Sequence, residues 1–253
     1  PAKGKTPVSI GNHFKVGDGI EYTAIQCMSY GLPERVGIST KKLERIDSIA
    51  QYAVDQKMTP GIQLLIARKG KVIYNKNFGK HTYGGNESVK FEDMYDVASL
   101  TKILATIPLL MELEEKRVLT LNTSLSKLLP EYAKTNKNDI TIKQMLSHYA
   151  RLRPWVPFYV ATLDSTTGRP DPKYYRRTAT SQFNIKVADQ MYLRSDYPDS
   201  IQKVIRETEL LSTQRYRYSD LPYYILKKYI EGYYKKTLDE LGVSWKQAIF
   251  YKT

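Results

Sequence analysis

The sequence predicts an α+β fold, on three observations. An amphipathic helix comes first, an antiparallel hairpin follows it directly, and a long stretch with mostly helical signals occupies the rest of the chain. The helix is written in Leu43, Ile46, Ile49, Ala50, Ala53 and Val54, apolar residues recurring at three and four positions after Ser39 or Thr40 as cap, with Pro60-Gly61 as the closing signal. The hairpin is written in Ile62-Gln63-Leu64-Leu65-Ile66-Ala67 and Val72-Ile73-Tyr74. Between the two runs stands Arg68-Lys69-Gly70-Lys71, where glycine supplies the positive φ of a tight turn.

Ahead of these elements, residues 1 to about 35 carry Gly4, Pro7, Gly11, Gly17, Gly19, Gly31 and Pro33 with no sustained period, the pattern of a linker or irregular arm. Beyond the hairpin, a polar loop over Gly79 to Glu87 leads to Met94-Tyr95-Asp96-Val97-Ala98-Ser99. A strongly apolar stretch through Ile103, Leu104, Ile107, Leu109, Leu110, Met111 and Leu113 then suits a buried helix. Pro108 in its middle removes a backbone donor, so a kink or a short first helix is expected there. From Leu119 to Leu226 strand signals are sparse, and a helical subdomain is expected over about 115–235. Thr141-Ile142-Lys143-Gln144 has the form of a capping box, and Leu221 to Tyr234 reads as a helix rich in tyrosine.

Composition excludes several classes. At 253 residues and 42% hydrophobic, the chain has the make-up of an ordinary globular protein, neither fibrous nor disordered. No run approaches the eighteen or so apolar residues of a membrane span, and Pro1-Ala2-Lys3-Gly4-Lys5 lacks a signal-peptide core, so a soluble chain already trimmed of any leader is expected. A lone Cys27 makes no internal disulfide, and His13, His81 and His148 show no zinc-type spacing; no metal or cofactor is expected. The formal charge of +13 raises the question of nucleic acid or an anionic envelope polymer as partner. Lys173-Tyr174-Tyr175-Arg176-Arg177 and Arg215-Tyr216-Arg217 do interleave cations with rings, but no nucleic-acid motif accompanies them and no nucleic-acid partner is expected.

The chemistry-bearing residues begin with Ser99 and Lys102 in Ala98-Ser99-Leu100-Thr101-Lys102. Residues three apart share a helix face, so the lysine amine can touch the serine hydroxyl. A lysine pKa depressed by burial and nearby positive charge would let the neutral amine take the serine proton, while the helix N-terminus favours negative charge on the serine oxygen. The Ser99 amide is a candidate oxyanion donor. On its own the pair is a weak signal, since an N-capping serine followed by a solvated lysine has the same letters. Far downstream, Tyr218-Ser219-Asp220 opens a helix-like segment.

Together these residues resemble the serine β-lactamase and D,D-peptidase family: class C β-lactamases, D,D-carboxypeptidases and related esterases, which pair S-x-x-K with Y-x-N in this order. Phe78-Gly79 is like the family's strand ending, and Ile140-Thr141-Ile142-Lys143-Gln144-Met145-Leu146-Ser147-His148 looks like the lead-in to its H-x-S-G-L segment. The resemblance implies a β-lactamase/transpeptidase-like fold, an antiparallel sheet with flanking helices and a helical subdomain. It implies an acyl-enzyme on Ser99, with Lys102 taking the serine proton and Tyr218 relaying protons to leaving group and water. D-alanyl peptides, β-lactams or small esters would be substrates, in the periplasm or elsewhere outside the cytoplasm.

Three departures qualify the match. Asp220 stands where the family usually has Asn, placing a carboxylate where an amide would meet substrate. Ala150-Arg151 replaces the common Ser-Gly after His148, which is read as structural or capping and is left out of the site. A third motif, Lys-Thr-Gly or His-x-Gly, is not seen: Lys236-Thr237 is followed by Leu238, and the tail from Leu241 does not resemble the family. A truncated domain over 36–253 is therefore expected, lacking C-terminal strands and self-associating through an exposed sheet edge or standing as a helical subdomain with a partial sheet. The alternative function is a noncatalytic module that binds peptidoglycan or scaffolds a linked enzyme. Gly4-Lys5-Thr6-Pro7-Val8-Ser9 together with His148 to Tyr159 resembles a narrower group, Bacteroidetes proteins in which a glycoside hydrolase family 3 β-N-acetylglucosaminidase precedes such a domain; residues 1–35 would then be its tail and linker.

Overall fold

The computed structural model describes residues 28–241, together with two short antiparallel strands ahead of them, β1 (Gly4–Lys5) and β2 (Gly19–Ile20). The rest of the arm expected over residues 1–35, Cys27 included, and the tail beyond Leu241 lie outside the described residues. The chain divides into two compact units, Pro1–Asp96 and Val97–Thr253. Their elements make the α+β fold that the order of helix, hairpin and helical stretch predicts.

In unit 1, the end of the expected arm is built into the sheet: β3 (Ser29–Tyr30) pairs parallel with the start of β5 (Lys71–Gly79). A 3-10 turn over Pro33–Val36 follows and closes on Gly37 at φ 77°. Helix α1 (Thr40–Asp55) is capped by Ser39, whose hydroxyl accepts from the Lys42 amide. It ends at Asp55 rather than at Pro60-Gly61, because Lys57 turns into the left-handed region at φ 54°.

Strand β4 (Gly61–Arg68) pairs antiparallel with β5 around Lys69 and Gly70, both at positive φ (49° and 72°), the two-residue turn whose twist matches a hairpin. At the other end of the hairpin Gly61 faces Gly79, and a Cβ on Gly79 would meet the Pro60 carbonyl oxygen at 2.3 Å. Sheet order is β3-β5-β4, so β4 is an edge strand among the described residues. Helix α1 is tied to the sheet by Asp47, which accepts from the Tyr74 hydroxyl at 2.5 Å and the Lys76 ammonium at 2.7 Å.

Unit 2 opens with a π-helical turn (Lys102–Thr106) that runs straight into helix α2 (Ile107–Glu115). Pro108 explains the wide turn. Its ring carries no N–H and crowds the carbonyl four residues back, and the ladder shifts so that the Ile107 amide donates to the Lys102 carbonyl, five positions away. The apolar stretch read as a buried helix is buried on one face only: Leu109, Leu110 and Leu113 are inside, whereas Leu100, Ile103, Leu104 and Met111 are exposed.

Short helices α3 (Leu125–Leu128) and α4 (Ile142–Leu146) follow. Thr141 and Gln144 form the predicted capping box in both directions. Helices α5 (Tyr197–Glu207) and α6 (Leu221–Tyr234) complete the set.

Between α4 and α5 the mostly helical subdomain also carries strands that the sequence does not signal. A three-stranded sheet of β6 (Tyr175–Arg176), β7 (Ile185–Ala188) and β8 (Met191–Leu193), in the order β6-β8-β7, stands there. Strands of two to four residues are too short to show a period, and their turn uses Gln190 at φ 48° rather than a glycine. The core of this unit is one apolar cluster that includes Leu113, Leu125, Tyr132, Met145, Ile205, Leu221, Ile225 and Ile230. Lys137, fully buried, donates to the Arg206 and Thr208 carbonyls, satisfying the end of α5 from inside.

Candidate active site

Ser99 stands just before the π turn, following Ala98 at φ 43°, a left-handed conformation uncommon for a residue with a Cβ. The Lys102 amide donates to the Ser99 carbonyl at 3.1 Å, so the two side chains rise from one turn. The Lys102 ammonium donates to the Ser99 hydroxyl oxygen at 3.0 Å. From 119 positions downstream, the Tyr218 hydroxyl donates to that same oxygen at 2.8 Å. The third atom at Lys102 is Asp220 Oδ1, 2.6 Å from the ammonium. Of the four residues that the sequence singles out, Lys102 and Tyr218 thus meet at the Ser99 oxygen and Asp220 is joined to them through Lys102.

A second backbone segment holds Tyr218 in place. His148 and Arg151 both have φ 59°, and the chain between them curls so that its polar groups face the strand-like run before α6. The Arg217 amide donates to the His148 carbonyl at 2.9 Å and the Asp220 amide to the Pro154 carbonyl at 2.8 Å. The Ser219 amide donates to His148 Nδ1 at 3.2 Å, and the Ser219 hydroxyl, buried, donates to the Arg153 carbonyl. The His148 ring lies against the Tyr218 ring, centroids 4.6 Å apart. His148 therefore makes no contact with Ser99 through a hydrogen bond but fixes the turn that carries Tyr218 and Asp220.

The electrostatics reverse one expectation. Burial pulls the Lys102 ammonium down, but hydrogen bonding and attraction from Asp220 and Tyr218 outweigh it, and the group sits above the ordinary lysine value. Lys102 is a cation here, not the neutral amine the sequence suggests, because a carboxylate and not a second cation stands beside it. The phenol goes the other way. Lys102 and then Ser99 hold the Tyr218 hydroxyl below the ordinary tyrosine value. Burial and the Lys102 charge also lower His148, in keeping with an Nδ1 that accepts a hydrogen bond.

Ser99, Lys102 and Asp220 line a cleft of about 250 Å³ with Thr101, Thr106, Tyr223, Tyr224, Lys227 and Leu238. Sequence reasoning missed the last five. Three of them had a signal: counted from Asp220 at the start of α6, positions 223, 224 and 227 fall on one helix face. A larger cavity of about 410 Å³ in unit 1, beside His81 and Asp93, holds no serine or cysteine. In the basic and aromatic cluster at 173–177, Arg176 lies 4.4 Å over the Phe183 ring and Lys173 lies 5.6 Å over Tyr174. Among the described residues no cluster of metal-ligating side chains is present, and no helix is long and apolar enough to cross a membrane.

Comparison with known proteins gives this geometry a context. Protein flp of Staphylococcus aureus (strain NCTC 8325 / PS 47) is 31% identical over 130 residues, 50% of this chain and 25% of flp. A Salmonella agona protein named "Putative D-alanyl-D-alanine carboxypeptidase" is 26% identical over 230 residues, 87% of this chain and 48% of that protein. The octameric penicillin-binding protein homologue from Pyrococcus abyssi shares the fold with a TM-score of 0.58 at 19% identity, over 81% of this chain and 42% of that one. The chain thus spans from a quarter to about half the length of these relatives. The family model described as Beta-lactamase matches residues 46–242, a span that takes in the Ser99 turn, the His148 curl and the Tyr218 turn alike, and the chain belongs to the beta-lactamase family.

Proposed function

We propose that the chain is a serine acyl-transfer hydrolase whose acyl-enzyme forms on Ser99. The observation that carries this reading is the convergence of the Lys102 ammonium and the Tyr218 hydroxyl on one serine oxygen. Two side chains so far apart in sequence have no structural need to meet at an exposed serine, and a solvated lysine after an N-cap would not do so.

The raised Lys102 and the lowered Tyr218 support a division of roles. Tyr218, whose hydroxyl Lys102 and Ser99 hold below the ordinary tyrosine value, takes the Ser99 proton in its deprotonated form as the serine oxygen attacks a carbonyl carbon. Lys102 stays protonated and stabilises the phenolate and the developing charge on the serine oxygen. The Ser99 amide is one donor for the oxyanion. Tyr218 then returns the proton to the leaving amine or alcohol, and the same phenolate draws a proton from the water that attacks the Ser99 ester and passes it to the Ser99 oxygen as the acyl group leaves. Proton and acyl group balance over the cycle, and no cofactor enters it.

The substrate set proposed is that of D-alanyl peptides, β-lactams and small esters, and the setting is peptidoglycan metabolism outside the cytoplasm. The name of the Salmonella agona relative supports this, as do the penicillin-binding protein homologue's fold and the cationic surface of this chain, suited to anionic envelope polymers. A fluorophosphonate probe followed by peptide mass analysis tests the reading. Label is expected on Ser99 and lost in Ser99→Ala; intact protein without label overturns the assignment and leaves a noncatalytic binding module.

A further inference from the structure

The cleft beside Ser99 has an unusual charge ledger for a site that would hold an anion. It is lined by two cations, and both are already taken: Lys102 is bound to Asp220 at 2.6 Å, and Lys227 to Glu231 at 2.7 Å. Lys102 is also shielded, its side chain only 15% exposed, whereas that of Asp220 is 41% exposed. Of the two charged groups at Ser99 the carboxylate is thus the more open, while Lys227, its side chain 51% exposed, lies about two turns further along α6 and is engaged by Glu231. An ionised carboxylate accepts hydrogen bonds and donates none. A substrate carboxylate placed against Asp220 would meet like charge, whereas an ammonium or N–H would meet an acceptor. The remaining walls agree, since the rings of Tyr223 and Tyr224 and the side chain of Leu238 are uncharged, and ring faces attract cations. The +13 of the whole chain draws anions towards its surface in general, but the more open charge at Ser99 is negative.

We propose that Asp220 sets the substrate class: Ser99 is acylated by esters or amides that carry an ammonium or N–H donor near the scissile carbonyl, in preference to those that carry a carboxylate. The inference rests on the serine hydrolase reading above and narrows its substrate set to small esters and amides, setting aside D-alanyl peptides that end in a free carboxylate and carboxylate-bearing β-lactams. Asp220 touches the substrate in this scheme through Oδ2, the oxygen not engaged by Lys102, and its bond to Lys102 keeps it in place without neutralising the face it turns to the cleft.

Three 4-nitrophenyl esters of matched length separate the possibilities: those of β-alanine, butyric acid and succinic acid, bearing an ammonium, a methyl group and a carboxylate at the same position. Nitrophenolate release above the uncatalysed rate is measured for the wild-type protein and for Asp220→Asn, each expressed relative to the butyrate ester so that a general change in Ser99 reactivity cancels. The β-alanine ester is expected to react about tenfold faster than the succinate ester, the size of one partly solvated charge contact. In Asp220→Asn that ratio is expected to collapse towards one. A wild-type protein that prefers the succinate ester, or an Asn variant that keeps the wild-type ratio, overturns the inference. Fluorophosphonate labelling run alongside distinguishes the two levels: label on Ser99 with the wrong ester preference sinks the substrate assignment alone, and absence of label sinks the hydrolase reading and this inference with it. Because the wild-type ratio decides by itself, a variant that fails to fold does not rescue the proposal.

Discussion

The two units hold themselves together by different means. Unit 1 buries few large side chains, Val72 and Tyr74 among them, and relies on polar stitches: Asp47 to Tyr74 and Lys76, His81 to Asp93 at 2.6 Å, and Gln63 to the Phe91 carbonyl at 3.0 Å. Unit 2 packs a continuous apolar cluster from α2 through α6, and every residue of the candidate site stands in that unit. A reacting serine must be met within a few tenths of an ångström by its partners, and side chains rooted in a close-packed core supply that constancy better than solvent-exposed polar ties. The candidate site sits where the packing is.

The sharpest way to break this contrast is kinetic. Tyr218→Phe is expected to slow Ser99 acylation by about 10²–10⁴-fold, the worth of a positioned base, with an unchanged melting temperature. His81→Asn in unit 1, beside the larger cavity, is expected to leave the rate within about twofold. Equal losses in the two variants would show that the chemistry is not confined to unit 2. The pH profile sharpens the role of the phenol: acylation should rise with pH through an apparent value below the usual tyrosine value of about 10, and the Phe variant should lose that limb.

Stability comes next in size. Leu113→Ala, at a fully buried position, is expected to cost about 2–5 kcal/mol in urea unfolding, whereas Tyr74→Phe, which removes a bond to a carboxylate, should cost about 1.5–3 kcal/mol. Gly79→Ala is expected to cost more than about 1 kcal/mol, because its φ of 69° and the nearby Pro60 carbonyl leave no room for a Cβ. A Leu113→Ala cost below that of Tyr74→Phe would contradict the assignment of the main core to unit 2.

The smallest effects are the most diagnostic, because the two described histidines respond to pH in opposite senses. His81 is raised, chiefly by its bond to Asp93, so its contribution is complete below about 6.5 and is lost as pH rises through its folded value. His148 is lowered by burial and by Lys102, so its contribution is present above about 6.5 and is lost as pH falls through its folded value. Unfolding of His81→Asn and His148→Asn at acid and alkaline pH checks this: the first variant should lose more at acid pH, the second at alkaline pH.

How much of this was legible depends on whether the cause is local. Ser39 as cap, the Gly70 turn, the Thr141 to Gln144 box and the span of α6 follow from neighbours in sequence, and the structure repeats them. Ser99, Lys102, Tyr218 and Asp220 could be named from motif and order. Their charge states could not, since the raised Lys102 depends on a carboxylate 118 positions away. The sheet of β6, β7 and β8 was hidden by strand length, and His148 by its role, which is exerted through the backbone of Ser219 rather than on a reacting atom.

The π turn at Lys102–Thr106 has a further consequence for anyone who would edit this protein. It works as a phase shifter: the extra residue in that turn sets the angle between the serine and lysine side chains upstream and the Leu109, Leu110 and Leu113 face downstream. Deleting Ala105 would restore an ordinary α-helical count and rotate one end against the other by about 100°. Ser99 would then keep its neighbours in sequence and lose its neighbours in space, so a one-residue deletion there is expected to do more harm to the site than many substitutions within it.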